Sequence, residues 1–442
     1  MGENHLTIFV KYVKMGLLNA KKFAMEEIMS VIKKQHIYLP KKHLDYSKWA
    51  VIACDQFTSE PKYWEEVAKF VKDAPTTLDL TFPEIYLSKD NHERIDKINK
   101  NMKSYYEKGL VEDAGACMIL VDRSTSLYPH RLGLVMNVDL ETYDFRPDVP
   151  ALIKATEGTI IERIPPRVEI RKDAILEFPH IMLLFDDRKQ KIVENLYKNR
   201  QNLEKVYDFD LNMGGGHIAG WKVKNVDEVA SQFDKLLDKD YLKETFNTET
   251  PLLFAVGDGN HSLATAKEHW NRIKVNLTDA EKETHPARFV LVEVVNIHDE
   301  GIEFSPIYRV IRGADASFIK GLKKLYKGPK EDAKQEKIFV GGKEDSYDLP
   351  NNSPLAIKLV QDYIDKCIAE QLEMSVDYVH GLDSLKEICE KDGNIGLTLP
   401  TLDKSQLFEF VIKHGVLPRK SFSIGEAREK RYYLESHKIK LI

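Results

Sequence analysis

The residues best suited to chemistry lie together near the middle of the chain, at residues 254–262, which read FAVGDGNHS. This short apolar run breaks into small and polar residues and is followed by LATAKE. The pattern predicts a strand, a tight turn and a helix. Such a junction directs backbone N–H groups and the positive end of a helix dipole at one point, where a phosphate or another anion can bind.

The side chains of this turn add further chemistry at the same point. Asp258, His261 and Ser262 supply acid–base, hydrogen-bonding or metal-binding atoms. The alternative is a well-capped helix, in which Asp258 or Asn260 caps the first turn and His261 only packs. If the turn is a phosphate site, the residues expected to hold the phosphate there are Gly257, Gly259, Asn260 and Ser262.

A second candidate group begins with TEGT at residues 156–159 and continues to Arg163 and Arg167. The carboxylate of Glu157, beside two hydroxyls, can act as a general base for an alcohol. The arginines can hold phosphoryl oxygens through charge-assisted hydrogen bonds. The alternative is an exposed strand followed by a solvated, charged helix face.

Two further segments are weaker candidates. Residues 213–217 read MGGGH, and the glycines permit positive φ and a close approach to a ligand beside His217. The alternative there is a flexible, hairpin-like loop. Residues 417–422 read LPRKSF and predict a rigid turn that presents two cations. Many such turns are simply exposed to solvent.

Composition restricts the class of protein. With 442 residues, 43% hydrophobic and 31% charged, the chain is long enough for two or three domains with a substantial core. A net charge of −5 argues against a broad nucleic-acid-binding face. The sequence contains no apolar run of about 18 residues, which a membrane helix needs, so we expect a cytoplasmic protein. The four cysteines have no CxxC spacing, so neither a zinc site nor a disulfide framework is indicated.

Helical and extended patterns alternate along the chain. Strands are predicted at 51–54, 117–121, 132–138, 181–185 and 288–295, and helices at 190–207, 226–246 and 262–273. Residues 328–352 are expected to form an exposed connection. Because several strands end in polar turns, among them Asp55-Gln56, we predict an α/β fold with its site at strand ends. The expected divisions are an N-terminal helical extension (1–36), an α/β core carrying the site (37–327) and a C-terminal α/β region (328–442).

Three motifs together resemble a known family. DGNH at 258–261, FSPIYRVI at 304–311 and PRKSF at 418–422 look like those of the domain of unknown function 1015 family, over the chain from about Tyr38 onward. That family commonly has Asp-Gly-His-His-Arg at the turn, whereas Asn260 and Ser262 stand here at its third and fifth places. The missing arginine removes one cationic phosphate ligand, which Arg163, Arg167 or Lys420 could replace.

The turn also resembles the phosphate-binding motif of the ParB/sulfiredoxin-like fold. This resemblance implies a mixed-sheet α/β core with a phosphate-binding strand-turn-helix, and a C-terminal α/β region that returns a basic loop to the site. Sulfiredoxins carry a cysteine in the turn, which this chain lacks. ParB-type proteins add basic DNA-binding surfaces, which the acidic charge balance does not support. Free serine kinases use the same kind of turn without DNA.

The resemblance to free serine kinases implies transfer of a phosphoryl group to the hydroxyl of free L-serine, giving O-phosphoserine. In that reading Asp258 and donor oxygens hold Mg²⁺, and His261 hydrogen-bonds a phosphoryl oxygen. Glu157 activates the hydroxyl, with Asp55 as the rival base, while Arg163 or Arg167 stabilises the transferring group. The donor is ATP, ADP or pyrophosphate, which the sequence does not distinguish.

The amino-acid substrate must have its ammonium and carboxylate groups recognised. Asp55 can take the ammonium, and Lys420 or an arginine can take the carboxylate. The expected substrate-binding residues are Asp55, Gln56, His217, Lys420 and Ser421.

Two other functions stay open from the sequence. A nucleotide-responsive, ParB-like binding or regulatory protein would bind a nucleotide without forming a product. A metal-dependent hydrolase would bind zinc through His217, His261 and Asp258, although no HExxH or cysteine-pair spacing supports it. Nothing in the sequence indicates an oligomeric state.

Overall fold

A computed structural model describes residues 30–88, 90–371, 373–390 and 393–441. The strands of this part of the chain are, in order, β1 Ile32–Lys33, β2 His36–Pro40, β3 Val111–Ala116, β4 Met118–Ser124, β5 Arg131–Asp139, β6 Tyr143–Asp144, β7 Ile153–Lys154, β8 Leu176–Glu177, β9 Met182–Phe185, β10 Glu204–Asp210, β11 His217–Val223, β12 Phe254–Asp258, β13 Phe289–Asn296, β14 Phe304–Arg312, β15 Ala333–Val340, β16 Lys343–Pro350, β17 Ser375–His380, β18 Asn394–Leu397, β19 Phe422–Ile424 and β20 His437–Lys438.

The α-helices of the same residues connect these strands and cover the sheets. They are α1 Tyr46–Trp49, α2 Pro61–Val71, α3 His92–Glu107, α4 Ile164–Arg171, α5 Val193–Lys198, α6 Val226–Asp234, α7 Lys239–Phe246, α8 Asn260–Lys274, α9 Asp279–Thr284, α10 Ala316–Leu322, α11 Ser353–Glu370, α12 Leu382–Cys389 and α13 Lys404–His414. Within the described ranges, no helix is both long enough and apolar enough to cross a membrane.

A large mixed sheet forms the centre of the molecule. Its strand order is β10-β11-β4-β5-β13-β9-β12-β7-β6, and β1 pairs with β5. Every residue of β13 is buried, as its nearly continuous apolar sequence predicts for a strand covered on both faces. Strand β12 runs parallel to β7 and antiparallel to β9. The carboxyl ends of β12 and β7 and the amino end of β9 therefore lie at one edge of the sheet.

A second, smaller sheet has the order β16-β15-β18-β14-β17. Strand β19 pairs with the first residues of β14, and the side chain of its last residue, Ile424, lies against Gly257 of β12 in the large sheet. The helices α10, α11 and α13 pack on the second sheet through apolar residues that include Leu322, Ile357 and Leu407.

The large sheet is covered on both faces. On one face, Phe233 of α6 and Trp270 of α8 join the core with residues of β9 and β12. On the other face, the segment that contains α1 to α3 packs together with Tyr433 and Leu434 from the end of the chain. The C-terminal residues are thus part of the core of the large sheet.

The mixed α/β fold is confirmed, as are the strands expected at 117–121, 132–138, 181–185 and 288–295 and the helices at 226–246 and 262–273. The segment 51–54 is buried but forms only an isolated bridge, between Ile52 and Arg431. The helix expected over 190–207 is wrong beyond residue 202, because β10 begins at Glu204. There, Val206, Tyr207 and Phe209 favour an extended edge strand paired with β11.

The exposed connection expected at 328–352 is also wrong, because β15 and β16 form a hairpin there. Gly341 and Gly342 both have positive φ, of 53° and 72°. Two consecutive residues with positive φ are what a two-residue hairpin turn of type I′ requires. In the sequence, the pair Gly341-Gly342 therefore indicates a tight turn between two strands.

The three expected divisions of the chain stay a prediction. Most of the N-terminal extension, residues 1–29, lies outside the described residues, and its described end contains the short strand β1. The second sheet takes β14 from before residue 327, and the last residues of the chain return to the large sheet.

Candidate active site

The predicted strand-turn-helix is present at the edge where β12 and β7 end. Strand β12 ends at Asp258, and α8 begins after Gly259, whose φ is +80°. A Cβ atom at Gly259 would lie 3.0 Å from the Cα of Ile181. No side chain caps the first turn of α8, so neither Asp258 nor Asn260 plays the capping role of the alternative interpretation. The first-turn amides are therefore left without a side-chain cap, as an anion-binding helix start requires.

Asp258 forms an ion pair with Lys430. Its Oδ2 lies 2.7 Å from Lys430 Nζ, and its Oδ1 accepts a hydrogen bond of 2.8 Å from the N–H of Gly259. Burial acts to lower the pKa of Lys430, but the charges of Asp258, Asp55 and Glu157 outweigh it and raise that pKa. Lys430 is thus a cation held among three carboxylates beside the open amides.

Glu157 lies just after β7 and contacts the basic loop at residues 418–421. The N–H of Ser421 donates to Glu157 Oε1 over 3.2 Å, and Leu417 bridges to the backbone of Glu157. Burial raises the pKa of Glu157 in spite of the hydrogen bonds and charge from Lys420 and Ser421, which lower it. This carboxyl is therefore readier to take up a proton than an exposed glutamate.

His261 is neutral at pH 7. Burial, with the nearby charges of Arg167 and Arg163, lowers the pKa of His261 to about 4. Its Nε2 accepts a hydrogen bond of 3.3 Å from the N–H of Ile160. Since a neutral imidazole carries one proton, the hydrogen-bond network assigns that proton to Nδ1, which is left as a donor.

Asn260 joins the turn to the segment that carries Glu157. Its Nδ2 donates to the carbonyl oxygen of Glu157 over 3.2 Å and to Thr159 Oγ1 over 3.1 Å. The asparagine that departs from the family pattern thus fixes the two predicted groups relative to each other.

Asp55 and Gln56 lie in the turn that follows residues 51–54, and Gln56 Nε2 donates to Asp55 Oδ1 over 2.9 Å. Burial acts to raise the pKa of Asp55, but His180, Gln56 and Lys430 together lower it. Asp55 is therefore an ionised carboxylate that shares the electrostatic environment of Lys430 and His261.

Ser262 is hydrogen-bonded to His180, with 2.8 Å between Oγ and Nε2. His180 lies just before β9, whose amino end is at the same edge of the sheet because β9 is antiparallel to β12. The ring of His180 also contacts Tyr432 edge-on, with 5.3 Å between ring centroids.

The two predicted arginines differ in their surroundings. Arg167 pairs with Glu84, with 2.9 Å from Nε to Oε1, and also donates to the carbonyl oxygen of Arg163 over 2.7 Å. The side chain of Arg167 is 16% exposed, whereas Arg163 is exposed at the start of α4. Both charges act on His261, but only Arg163 is exposed enough to reach a ligand without giving up a carboxylate partner.

The structure does not bring His217 to this site. Its Nδ1 lies 2.7 Å from Asp210 Oδ1 and its Nε2 lies 2.9 Å from Asp208 Oδ1, both on β10. In the strand order, β4, β5, β13 and β9 lie between β11, which begins at His217, and β12. Residues 212–216 form the hairpin turn between β10 and β11, in agreement with the alternative of a hairpin-like loop at this segment.

Because four strands separate His217 from the turn, His217, His261 and Asp258 do not form the zinc site of the hydrolase alternative. Over the described ranges, no group of three or more His, Cys, Asp or Glu residues could hold a metal ion.

Two residues of the candidate site were not predicted from the sequence, Lys430 and His180, because each stands in a segment without a recognisable motif. A third, Arg309, lies within the predicted FSPIYRVI motif. Arg309 is fully buried and donates to the carbonyl oxygens of Ile307 and Arg419. Arg309 therefore supports the basic loop that contacts Glu157.

The comparison with protein families agrees with these motifs. The model of the family described as "Protein of unknown function (DUF1015)" matches residues 38–379. The chain belongs to this family. No curated protein matches the DUF1015 chain.

Solved structures resemble this DUF1015 protein at low similarity. A free serine kinase in complex with AMP is 10% identical, with a TM-score of 0.35, and the match covers 69% of this chain and 92% of that one. A conserved hypothetical protein from Pyrococcus furiosus is 11% identical, with a TM-score of 0.33 and coverages of 69% and 95%. A truncated SbnI from Staphylococcus aureus is 12% identical, with a TM-score of 0.33 and coverages of 66% and 82%. These values are too low to assign an activity.

Proposed function

We propose that this protein is a small-molecule kinase that transfers a phosphoryl group to the hydroxyl of free L-serine, giving O-phosphoserine. One observation carries the proposal: the uncapped first turn of α8 lies beside Lys430, and the carboxylates of Asp55 and Glu157 act on the same lysine. An anion-binding turn next to groups that can take a proton and bind an ammonium is what phosphoryl transfer to an amino acid requires.

The donor side of the proposal uses the amides of the turn and three side chains. The first-turn amides and Lys430 bind the phosphates, and Arg163 adds a second cation. His261, neutral and with Nδ1–H as a donor, hydrogen-bonds a phosphoryl oxygen without competing for protons. ATP, ADP and pyrophosphate all fit this description at the turn.

In the proposed reaction, Mg²⁺ would bind mainly to the phosphate oxygens of the donor. Both oxygens of Asp258 already accept from Gly259 or Lys430, so Asp258 can offer a metal only a further lone pair. Few carboxylates together with phosphate oxygens are nevertheless what Mg²⁺ prefers. When bound, the ion would neutralise charge on the donor phosphates.

On the acceptor side, Glu157 takes the proton from the serine hydroxyl as the oxygen bonds to phosphorus. The bond from that phosphorus to the leaving phosphate oxygen breaks, and the charge that develops there is stabilised by Lys430. Asp55 binds the substrate ammonium, and Lys420 binds its carboxylate.

The test is incubation of the purified protein with L-serine, Mg²⁺ and ATP, ADP or pyrophosphate in separate reactions, with mass detection of O-phosphoserine. We expect product with at least one donor, and loss of product in Asp258→Ala and His261→Ala variants that still unfold cooperatively. Nucleotide binding without product would favour the regulatory alternative. Full activity in both variants would remove the turn from the mechanism.

A further inference from the structure

Ser262 and His180 form a pair whose side chains the proposed reaction does not use. Ser262 Oγ lies 2.8 Å from His180 Nε2, and both side chains are partly buried. His180 Nδ1 is buried and has no hydrogen-bond partner in the part of the chain that the structure describes. When Ser262 donates this hydrogen bond, Nε2 is the acceptor and the ring carries its proton on Nδ1. A hydroxyl held against an imidazole in this way is activated as a nucleophile.

A carboxylate supports this imidazole. Burial acts to raise the pKa of Asp55, and the charge of His180 is the largest influence that lowers it. The attraction is mutual, so Asp55 stabilises a proton that His180 takes up. Ser262, His180 and Asp55 thus correspond to a nucleophile, its base and the acid that stabilises the charged base.

Ser262 lies where the donor phosphates are proposed to bind. The first main-chain hydrogen bond at the start of α8 runs from the N–H of Leu263 to the carbonyl oxygen of Gly259, over 3.0 Å. The N–H of Ser262 precedes this bond and belongs to the uncapped first turn. A phosphate bound to that N–H is therefore close to the hydroxyl of the same residue.

We propose that Ser262 is a site of autophosphorylation, which takes the terminal phosphoryl group of the donor when no amino-acid acceptor is present. The inference rests on the proposed function, because it uses a donor bound at the same turn. Ser262 Oγ bonds to the terminal phosphorus as its proton passes to His180 Nε2. The bond from that phosphorus to the bridging oxygen breaks, and the electron pair leaves with that oxygen. The leaving group is ADP from ATP, AMP from ADP or phosphate from pyrophosphate.

Phosphorylation of Ser262 would close the site to the donor. The new phosphate would occupy the amides that a donor phosphate needs, and its negative charge would repel the donor. The modified protein, once separated from the donor, should therefore bind pyrophosphate about tenfold more weakly than the unmodified protein, as measured by calorimetry. Equal binding by the two forms would contradict the placement of this hydroxyl at the donor site.

The experiment incubates the full chain with Mg²⁺ and ATP, ADP or pyrophosphate, without L-serine, and locates added phosphoryl groups by peptide mass spectrometry. We expect one group on Ser262 with at least one donor. His180→Gln should slow its appearance about 100-fold, because the base is lost, and Asp55→Asn should slow it as well. Ser405→Ala is the matched control, since Ser405 lies in the first turn of α13 but its Oγ donates to Asp403 over 2.8 Å. The control should be modified as the natural chain is.

The inference is overturned if the natural chain carries no phosphate on Ser262 with any of the three donors. It is also overturned if His180→Gln and Asp55→Asn unfold cooperatively and are modified at the natural rate. O-Phosphoserine formed in a parallel reaction with L-serine, without phosphate on Ser262, would keep the kinase and reject autophosphorylation. Phosphate on Ser262 that depends on His180, without O-phosphoserine from any donor, would keep autophosphorylation and reject the kinase.

Discussion

At the scale of single residues, the electrostatics of the site centre on Lys430. Its ammonium forms an ion pair with Asp258, and the charges of Asp55 and Glu157 also raise its pKa. One cation therefore interacts with three carboxylates. An incoming phosphate would compete for this cation, and the carboxylates around it would then be free to bind an ammonium or to take a proton. Three of the predicted acids therefore meet at this one lysine.

Replacing Lys430 with methionine tests this role. We expect Lys430→Met to lower kcat for O-phosphoserine formation about 100-fold, because one preorganised charge on the transferring group is lost. Lys430→Arg keeps the charge and should retain more of the rate. Lys334→Met, at an exposed position of β15, is the control and should match the natural chain. Unchanged kcat in Lys430→Met would show that the lysine does not act on the phosphates.

The pH profile tests Glu157 as the base. A base must be ionised to accept a proton, and burial raises the pKa of Glu157. Activity should therefore fall on acidification at a pH above the ordinary glutamate value. His261, with a pKa of about 4, should add no inflection near 6.5. Steady-state kcat/KM between pH 4 and pH 9 would show this limb, which should be absent from the residual activity of Glu157→Gln.

At the scale of elements, the site depends on how β12 turns into α8. The turn needs the positive φ of Gly259 and its close approach to Ile181, and these place the first-turn amides at the edge of the sheet. Asn260 then holds the segment after β7 against the turn. Local chain geometry and one side-chain contact together position the amides and Glu157.

The variant Gly259→Ala tests this element. It should destabilise the protein by about 1–2 kcal/mol, because an L residue is strained at this φ, and it should abolish pyrophosphate binding at the turn. Gly158→Ala is the stability control, since a Cβ there meets nothing within 4 Å and its φ is not positive. Thermal unfolding and calorimetry measure both effects. A Gly259→Ala protein that binds pyrophosphate normally would contradict the role of the turn.

At the scale of the whole molecule, the end of the chain holds the site together. The segment that carries Lys430 continues through Tyr433 and Leu434, which are buried in the core of the large sheet. Glu435 follows, fully buried, and its Oε1 accepts a hydrogen bond of 2.6 Å from Tyr207 of β10. The stability of this packing and the position of Lys430 are therefore connected.

Glu435 predicts a pH dependence of stability. Burial raises its pKa from 4.5 to about 7. The folded state thus favours the protonated form, and this contribution is complete below pH 4.5 and is lost as the pH rises to about 7. We expect Glu435→Gln to behave as the natural chain does near pH 4 and to be more stable above pH 7, by about 3 kcal/mol. Denaturant unfolding at both pH values measures the difference, and an equal difference at both would contradict it.

The sequence by itself determined the mixed α/β fold and the strand-turn-helix at residues 254–274. That a basic loop returns to the site was implied only by the family resemblance. Strand periodicity, glycine conformation and helix starts depend on neighbouring residues, so they can be predicted locally. Gly341 and Gly342 are also a local signal, for a hairpin turn, and the exposed connection predicted there does not take it into account.

Only the tertiary structure decided which distant groups meet. The parallel pairing of β12 with β7 and the antiparallel pairing with β9 bring His180 and Glu157 to Asp258, and core packing at the end of the chain brings Lys430. The same strand order places His217 on the other side of four intervening strands. Strand order depends on contacts between segments far apart in the chain, which residue spacing along one sequence does not encode.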